Sequence, residues 1–215
     1  METKQPEQVK DILPIAMTVP DPENAQSQSY EPGTQLSKAK SLWKTAGIQE
    51  RHKYFKPENS TSEAWSMWFN GLCEKVGQGN LMGIIGTRGA GKTQMAACLI
   101  REACKKELES FYVKAMDIFC EMRETFNSDK SERKVVLKYC DFKFLVIDAV
   151  ENRGESDFEN RLLSHIVDKR YDACLDTVLI SNQEEAAFLK SMGSSIVSRM
   201  NETGGLIICK WNSFR

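Results

Sequence analysis

The eight residues GTRGAGKT, Gly86 to Thr93, constrain this chain more than any others in it. They satisfy the spacing G-x-x-x-x-G-K-[ST] in full, and their flanks agree: the apolar run LMGII precedes them and a helical pattern opens at Lys92. The chemistry explains the spacing. Gly86, Gly89 and Gly91 let the backbone curl so that successive N–H groups, those of Thr87, Arg88 and Ala90 among them, face phosphate oxygens. Lys92 adds a charge at the outer phosphates, Thr93 offers a hydroxyl to magnesium, and the helix N-terminus contributes its dipole. The expected ligands are therefore ATP and Mg2+.

A loop of this kind needs a strand before it and a helix after it, and the downstream sequence keeps that alternation. LMGII reads as a strand, Lys92 to Leu108 as a helix, SFYVKA as a strand and Met116 to Phe126 as a helix. FKFLVID is the most apolar strand. A helix from about Asp157 to Tyr171, the strand DTVLISN, short helices near Glu184 to Met200 and a last strand GLIICKW complete the series. Strands alternating with helices predict an α/β fold with a mostly parallel sheet covered on both faces.

Before the loop, two further helices are predicted. Leu36, Ala39, Leu42, Trp43 and Ala46 share one stripe, which Gly47 ends. Ser60 and Glu63 read as a capping-box pair, followed by an aromatic stripe of Trp65, Trp68, Phe69, Leu72 and Val76 that is expected to pack in the core. Five of the six prolines lie between Pro6 and Pro32, so residues 1–34 are expected to form a disordered Pro-rich tail carrying one apolar patch, ILPIAMTV. The expected organisation is tail 1–34, N-terminal helix and linker 35–58, and core 59–215.

Composition excludes several classes. A net charge near −1 gives no overall basic signal, so any nucleic-acid contact must be local. Seven dispersed cysteines without a C-x-x-C pair fit reduced thiols, and two distant histidines argue against zinc. ILPIAMTV is too short to span a bilayer, so no membrane association and a cytoplasmic location are expected.

Asp148 closes the most apolar strand, where an acid is placed to hold magnesium, usually through water. The next position, where nucleotide hydrolases commonly carry a glutamate that handles the attacking water, is Ala149. Losing such a base typically costs on the order of 10² to 10⁴ in rate. Read as extended strand, Glu151 would lie ~6.6 Å farther along. Asn182 closes the strand TVLISN and is either a polar amide between the two motifs or a turn residue.

The ordered series Gly86–Thr93, FLVIDAV, LLSHIVDKRYD, VLISN, SSIVSRM and GGLIICKWNSFR resembles the DnaC-type bacterial replicative helicase loaders, P-loop ATPases of the AAA+ class related to the IstB-type ATPases. The upstream AGIQERHKYF is similar to the segment that leads into their ATPase core. This resemblance implies an AAA+ fold without a separate C-terminal lid domain. It further implies that Asn182 is a first sensor, that Arg199 is an arginine finger reaching a neighbouring subunit's nucleotide, and that Arg215 is a second sensor. The implied partners are a hexameric replicative DNA helicase, single-stranded DNA and further copies of this chain, with the Leu36–Ala46 helix and ILPIAMTV as the grip on the helicase. Arg123, Lys130, Arg133, Lys134 and Lys138 are the candidate DNA contacts, diluted by Glu121, Glu124, Asp129 and Glu132. The expected function is an ATP-binding loader with weak or absent ATPase activity. The alternatives are an IstB-like transposition ATPase and a loader mimic that inhibits the helicase.

Overall fold

Apolar runs of five or six residues become the central strands here because both of their faces are covered. The computed structural model describes residues 32–126, 129, 131–153 and 156–214. Most of the expected tail, ILPIAMTV, Lys130 and Arg215 lie outside them. The strands are β1 (Leu81–Gly86), β2 (Ser110–Lys114), β3 (Phe144–Asp148), β4 (Asp176–Ser181) and β5 (Gly205–Cys209). All pair in parallel, in the order β2-β3-β4-β1-β5.

The helices are α1 (Pro32–Thr45), α2 (Glu50–Lys53), α3 (Glu63–Lys75), α4 (Lys92–Lys105), α5 (Ala115–Thr125), α6 (Glu132–Asp141), α7 (Asp157–Asp172) and α8 (Glu185–Glu202). Period-two alternation along the strands feeds two cores. Phe144 and Val146 of β3 join Met82, Ile84, Val178 and Ile180 beneath Trp65, Phe69, Met95 and Leu99 of α3 and α4. Leu145 and Ile147 point the other way, to Ile118, Tyr139, Ile166 and Phe188 of α5 to α8. The predicted parallel sheet with helices on both faces is therefore the fold. Residues 210–214 follow β5 without helix or strand.

Several local expectations change. The N-cap of α3 is Ser62, whose Oγ accepts from the Trp65 N–H at 3.2 Å, so Ser60 stands two residues too early to cap. Ser60 Oγ instead accepts from the Ser62 N–H at 3.3 Å and shapes the preceding turn. Trp68 is 41% exposed, because the α3 stripe that meets the core runs through Trp65, Phe69 and Leu72. α4 stops at Lys105, three residues short of Leu108, where Glu107 takes a left-handed φ of 60°. The mixed-charge run 129–141 contains a full helix, α6, that buries Val135, Val136 and Tyr139. By contrast, the two short helices expected near Glu184 to Met200 are both present within α8, on either side of Gly193, whose φ of 77° and ψ of 160° break the helical path.

At the sheet end away from the Gly-rich loop, Arg170 is completely buried. Its guanidinium donates to Thr177 Oγ1 (2.8 Å) and to the carbonyls of Tyr139 (2.9 Å), Phe142 (2.7 Å) and Asp176 (2.5 Å), joining the end of α6 to the start of β4. Burial pushes the group down to about 10, so it still carries its charge at neutral pH.

Candidate functional site

The C-terminal ends of β1, β3 and β4 open onto a cleft of about 540 Å³, within the usual range for a small-molecule site. β4 lies between β1 and β3, so the residue leaving β4 emerges between the Gly-rich loop and Asp148. Asn182 is that residue, and it lines the cleft together with Arg88, Gly89, Gly91, Lys92, Thr93 and Asp148. Of the two placements open to Asn182 from sequence alone, the structure has the one between the motifs.

The loop has the conformation that an anion cradle needs. Gly91, the N-cap of α4, is left-handed at φ 76° and ψ 17°, and a Cβ there would stand 2.8 Å from the Phe214 ring. Glycine alone fits both restraints. The first intrahelical bond of α4 runs from the Met95 N–H to Gly91 O at 2.8 Å, so the amides of Lys92, Thr93 and Gln94 face the cleft end of the helix. Lys92 is 5% exposed, and its ammonium donates to Gly86 O (2.7 Å) and Thr87 O (2.8 Å), which uses two of its three N–H bonds. Burial lowers its pKa, while Cys209, Asp148 and Glu151 oppose that shift.

Asp148 is the most heavily bonded group in the cleft. Its Oδ2 accepts from Thr93 Oγ1 (2.8 Å) and from the Tyr112 hydroxyl (2.7 Å), and its Oδ1 accepts from the Ala149 N–H (2.7 Å). Tyr112 comes from β2, next to β3 in the sheet, and is 6% exposed. Burial, then the Asp148 charge, raises its pKa, so the phenol remains a donor. The described residues contain no cluster of three or more His, Cys, Asp or Glu able to hold a metal ion. A hydroxyl and one carboxylate in contact nevertheless suit magnesium, which binds through one or two carboxylates plus substrate phosphates. The donor set at Thr93 and Asp148 thus fits an ion delivered with a nucleotide.

Two parts of the chain far from the loop in sequence complete the cleft. Arg51 and His52, on α2, line it. α2 is held there by Arg101 of α4, which donates to Lys53 O (2.7 Å) and Phe55 O (2.9 Å). Behind the loop, Trp65 Nε1 donates to Gly91 O (3.3 Å), Trp211 Nε1 to Ala90 O (2.8 Å) and the Phe214 N–H to Gly89 O (3.0 Å). Trp65 is buried in the core as expected; its bond to the loop, and those of Trp211 and Phe214, span more than 20 residues and leave no local sequence signal.

Arg199 does not line the cleft. It pairs with Asp168 at 2.9 Å, contacts Ser195 and lies 5.2 Å from the centre of the Tyr171 ring, on the α7 side of α8. Among the candidate DNA contacts, Arg123 pairs with the buried Glu159 and Lys138 pairs with Glu121 at 2.8 Å. The buried cysteines Cys98, Cys104 and Cys209 have thiols pushed up by burial, Cys209 to about 12, and act as small apolar residues. Among the described residues no helix is long and apolar enough to cross a membrane.

Comparisons with known proteins agree with this geometry. A family profile described as IstB-like ATP binding protein matches residues 73–214. The replicative helicase loader DnaC of Escherichia coli (strain K12) is 29% identical over 141 residues, covering 64% of this chain and 58% of the loader. This chain therefore spans little more than half the length of that relative. DnaC of Buchnera aphidicola subsp. Schizaphis graminum is 24% identical over 133 residues, 60% of this chain and 54% of the loader. Among solved structures, the DnaC helicase loader superposes with a TM-score of 0.61 at 19% identity, over 79% of this chain and 98% of that one. The replication initiator DnaA bound to AMPPCP and single-stranded DNA gives 0.64 at 19% identity, over 77% and 51%. Identities at that level show a shared fold.

Proposed function

Because this chain belongs to the family of IstB-like ATP-binding proteins, we propose that it is an ATP-binding helicase loader. It grips a hexameric replicative DNA helicase and helps place it on single-stranded DNA. The observation that carries the nucleotide half of this reading is the contact of Thr93 Oγ1 with Asp148 Oδ2 beside the Lys92 ammonium. The curated relatives' names support the loader half.

In this reading ATP works as an assembly switch. The α4 amides and Lys92 take the phosphates, Thr93 and Asp148 hold Mg2+, and Asn182 reads the γ-phosphate from between the motifs. Bound magnesium neutralises phosphate charge and orients the outer phosphates. Arg215 follows Phe214, which is bonded to the loop at Gly89, and acts as the second sensor within its own subunit. Arg199 serves a neighbour's nucleotide, a role supported by its lying outside the cleft of its own chain. A cation supplied in trans makes nucleotide occupancy report on assembly. Residues 35–58 and ILPIAMTV form the helicase grip. With Ala149 after Asp148, hydrolysis is slow.

The test is co-purification of the full chain with a hexameric replicative helicase in ATP, followed by transfer of that helicase onto protein-covered single-stranded DNA. Retention that is lost in Lys92→Ala supports the proposal. A chain that binds neither helicase nor single-stranded DNA refutes it. Inhibition of unwinding without deposition would assign it instead as a mimic.

A further inference from the structure

Ala149 stands where a water-handling acid is expected, and the backbone compensates within two residues. The chain leaves β3 through Ala149 in the left-handed region, at φ 55° and ψ 45°. It then winds a single 3-10 turn over Val150–Asn152, closed by the Asn152 N–H on Ala149 O at 2.9 Å. Val150 is fully buried and anchors the turn. The chain therefore does not run on in extended form: Ala149 lines the cleft, and Glu151 stands just behind that lining.

The turn brings Glu151 to Asn182, whose Nδ2 donates to Glu151 Oε1 at 2.5 Å. Asn182 lines the same cleft as Lys92, Thr93 and Asp148. The second oxygen, Oε2, is withdrawn from solvent and has no hydrogen-bond partner among the described residues. A carboxylate oxygen in that condition is costly unless a water molecule is held against it. The charge of Glu151 also reaches Lys92, where it opposes the effect of burial on the ammonium.

We propose that Glu151, held by Asn182, is the carboxylate that orients and deprotonates the attacking water in this chain, taking the part that residue 149 does not play. The inference rests on the ATP reading above. In the step itself, the water oxygen bonds to the γ-phosphorus as the bond from that phosphorus to the β–γ bridging oxygen breaks. The bridging electron pair leaves with ADP, and the water's proton passes to Oε2 of Glu151 and then to solvent. The slow turnover of the chain runs through this residue.

The experiment compares phosphate release, affinity for a fluorescent ATP analogue and melting temperature for the full chain, Glu151→Gln, Glu151→Gln with Ala149→Glu, and Lys92→Ala. Glutamine keeps the acceptor for Asn182 but is no base. Glu151→Gln is expected to lower turnover about 10²-fold or more, with unchanged affinity and melting temperature. Incubated with ATP and gel-filtered, it should carry ATP where the parent carries ADP. Adding Ala149→Glu should restore turnover. A Glu151→Gln protein that hydrolyses at the parent's rate, or a parent that binds ATP without hydrolysing it, overturns the role of Glu151 and leaves the ATP reading standing. A parent that binds no ATP overturns both.

Discussion

If Asp148 holds Mg2+ as proposed, Tyr112→Phe should act differently on the protein alone and on its Mg2+–ATP complex. In the structure Oδ2 has two donors, Thr93 Oγ1 at 2.8 Å and the Tyr112 hydroxyl at 2.7 Å. A hydrogen bond to a charged acceptor is worth about 1.5–3 kcal/mol. Phenylalanine keeps the ring packing, and Thr93 still serves Oδ2. The nucleotide-free protein should therefore lose only the lower figure, about 1.5 kcal/mol of unfolding free energy, read from urea denaturation. In the proposed Mg2+–ATP complex, the Thr93 hydroxyl would serve the ion, and Tyr112 would remain as the side-chain donor to Oδ2. The cost there approaches the upper figure. The difference, about 1.5 kcal/mol, corresponds to roughly tenfold weaker binding of Mg2+–ATP, measured by titration of a fluorescent analogue. Binding in EDTA, where Thr93 keeps its bond to Asp148, should hardly change. Equal weakening with and without magnesium would refute the argument, because the loss would then be one of packing and not of carboxylate positioning.

Three further outcomes follow from the same coordinates. Gly91→Ala should destabilise the fold by about 1–2 kcal/mol from the left-handed backbone alone, with more from the Cβ that meets Phe214 at 2.8 Å and Trp65 Nε1 at 3.1 Å; urea denaturation reads both. Arg170→Met should cost about 3 kcal/mol or more, since it strips donors from three carbonyls and from Thr177 in a dry site; a shift under about 1 kcal/mol would show that water replaces them. Raising pH should weaken the protein above about 10, because unfolded tyrosine ionises there while burial holds Tyr112 and Tyr139 protonated to higher pH. The stability they supply is complete below about pH 10 and is lost at up to ~1.4 kcal/mol per pH unit each, so Tyr139→Phe should flatten the alkaline limb of a pH–stability curve.

The sheet and the loop were legible because each is written in a contiguous run. LMGII and FLVID are apolar on both faces, and only a strand covered on both sides uses such a run. Other parts were hidden for definite reasons. The cap at Ser62 was missed because Ser60 offers the same hydroxyl with a glutamate three residues on, and the choice depends on where the chain first turns helical. An extended chain puts Glu151 two residues farther along the strand, whereas Ala149 is left-handed, a conformation uncommon for any residue with a Cβ and one the sequence does not announce. Arg51 and His52 reach the cleft, and Tyr112 reaches Asp148 from behind, through tertiary contacts, and no spacing rule connects them to Gly86–Thr93. Arg170 gave no signal beyond its place in LLSHIVDKRYD, since an arginine near a helix end is ordinarily a solvated one.

A separate set of long-range contacts attaches the Gly-rich loop to both flanks of the chain. Gly91 O is bonded to Trp65 of α3, Ala90 O to Trp211 after β5, and Gly89 O to the Phe214 N–H. Trp65 in turn stacks on Phe69 at 5.3 Å and meets Phe55 edge-on at 5.6 Å, which leads back to α2 and the cleft residues Arg51 and His52. A packed interior transmits small displacements instead of absorbing them. A loop whose carbonyls are fixed to the segments before and after the core therefore cannot reshape around phosphates without moving α3 or the 210–214 segment. That coupling needs no chemical step. In the proposed reading, binding alone then changes how the chain's two flanks are presented, as an assembly switch with slow turnover requires, and a complete Gly86–Thr93 loop with Asp148 beside Ala149 is consistent with that reading.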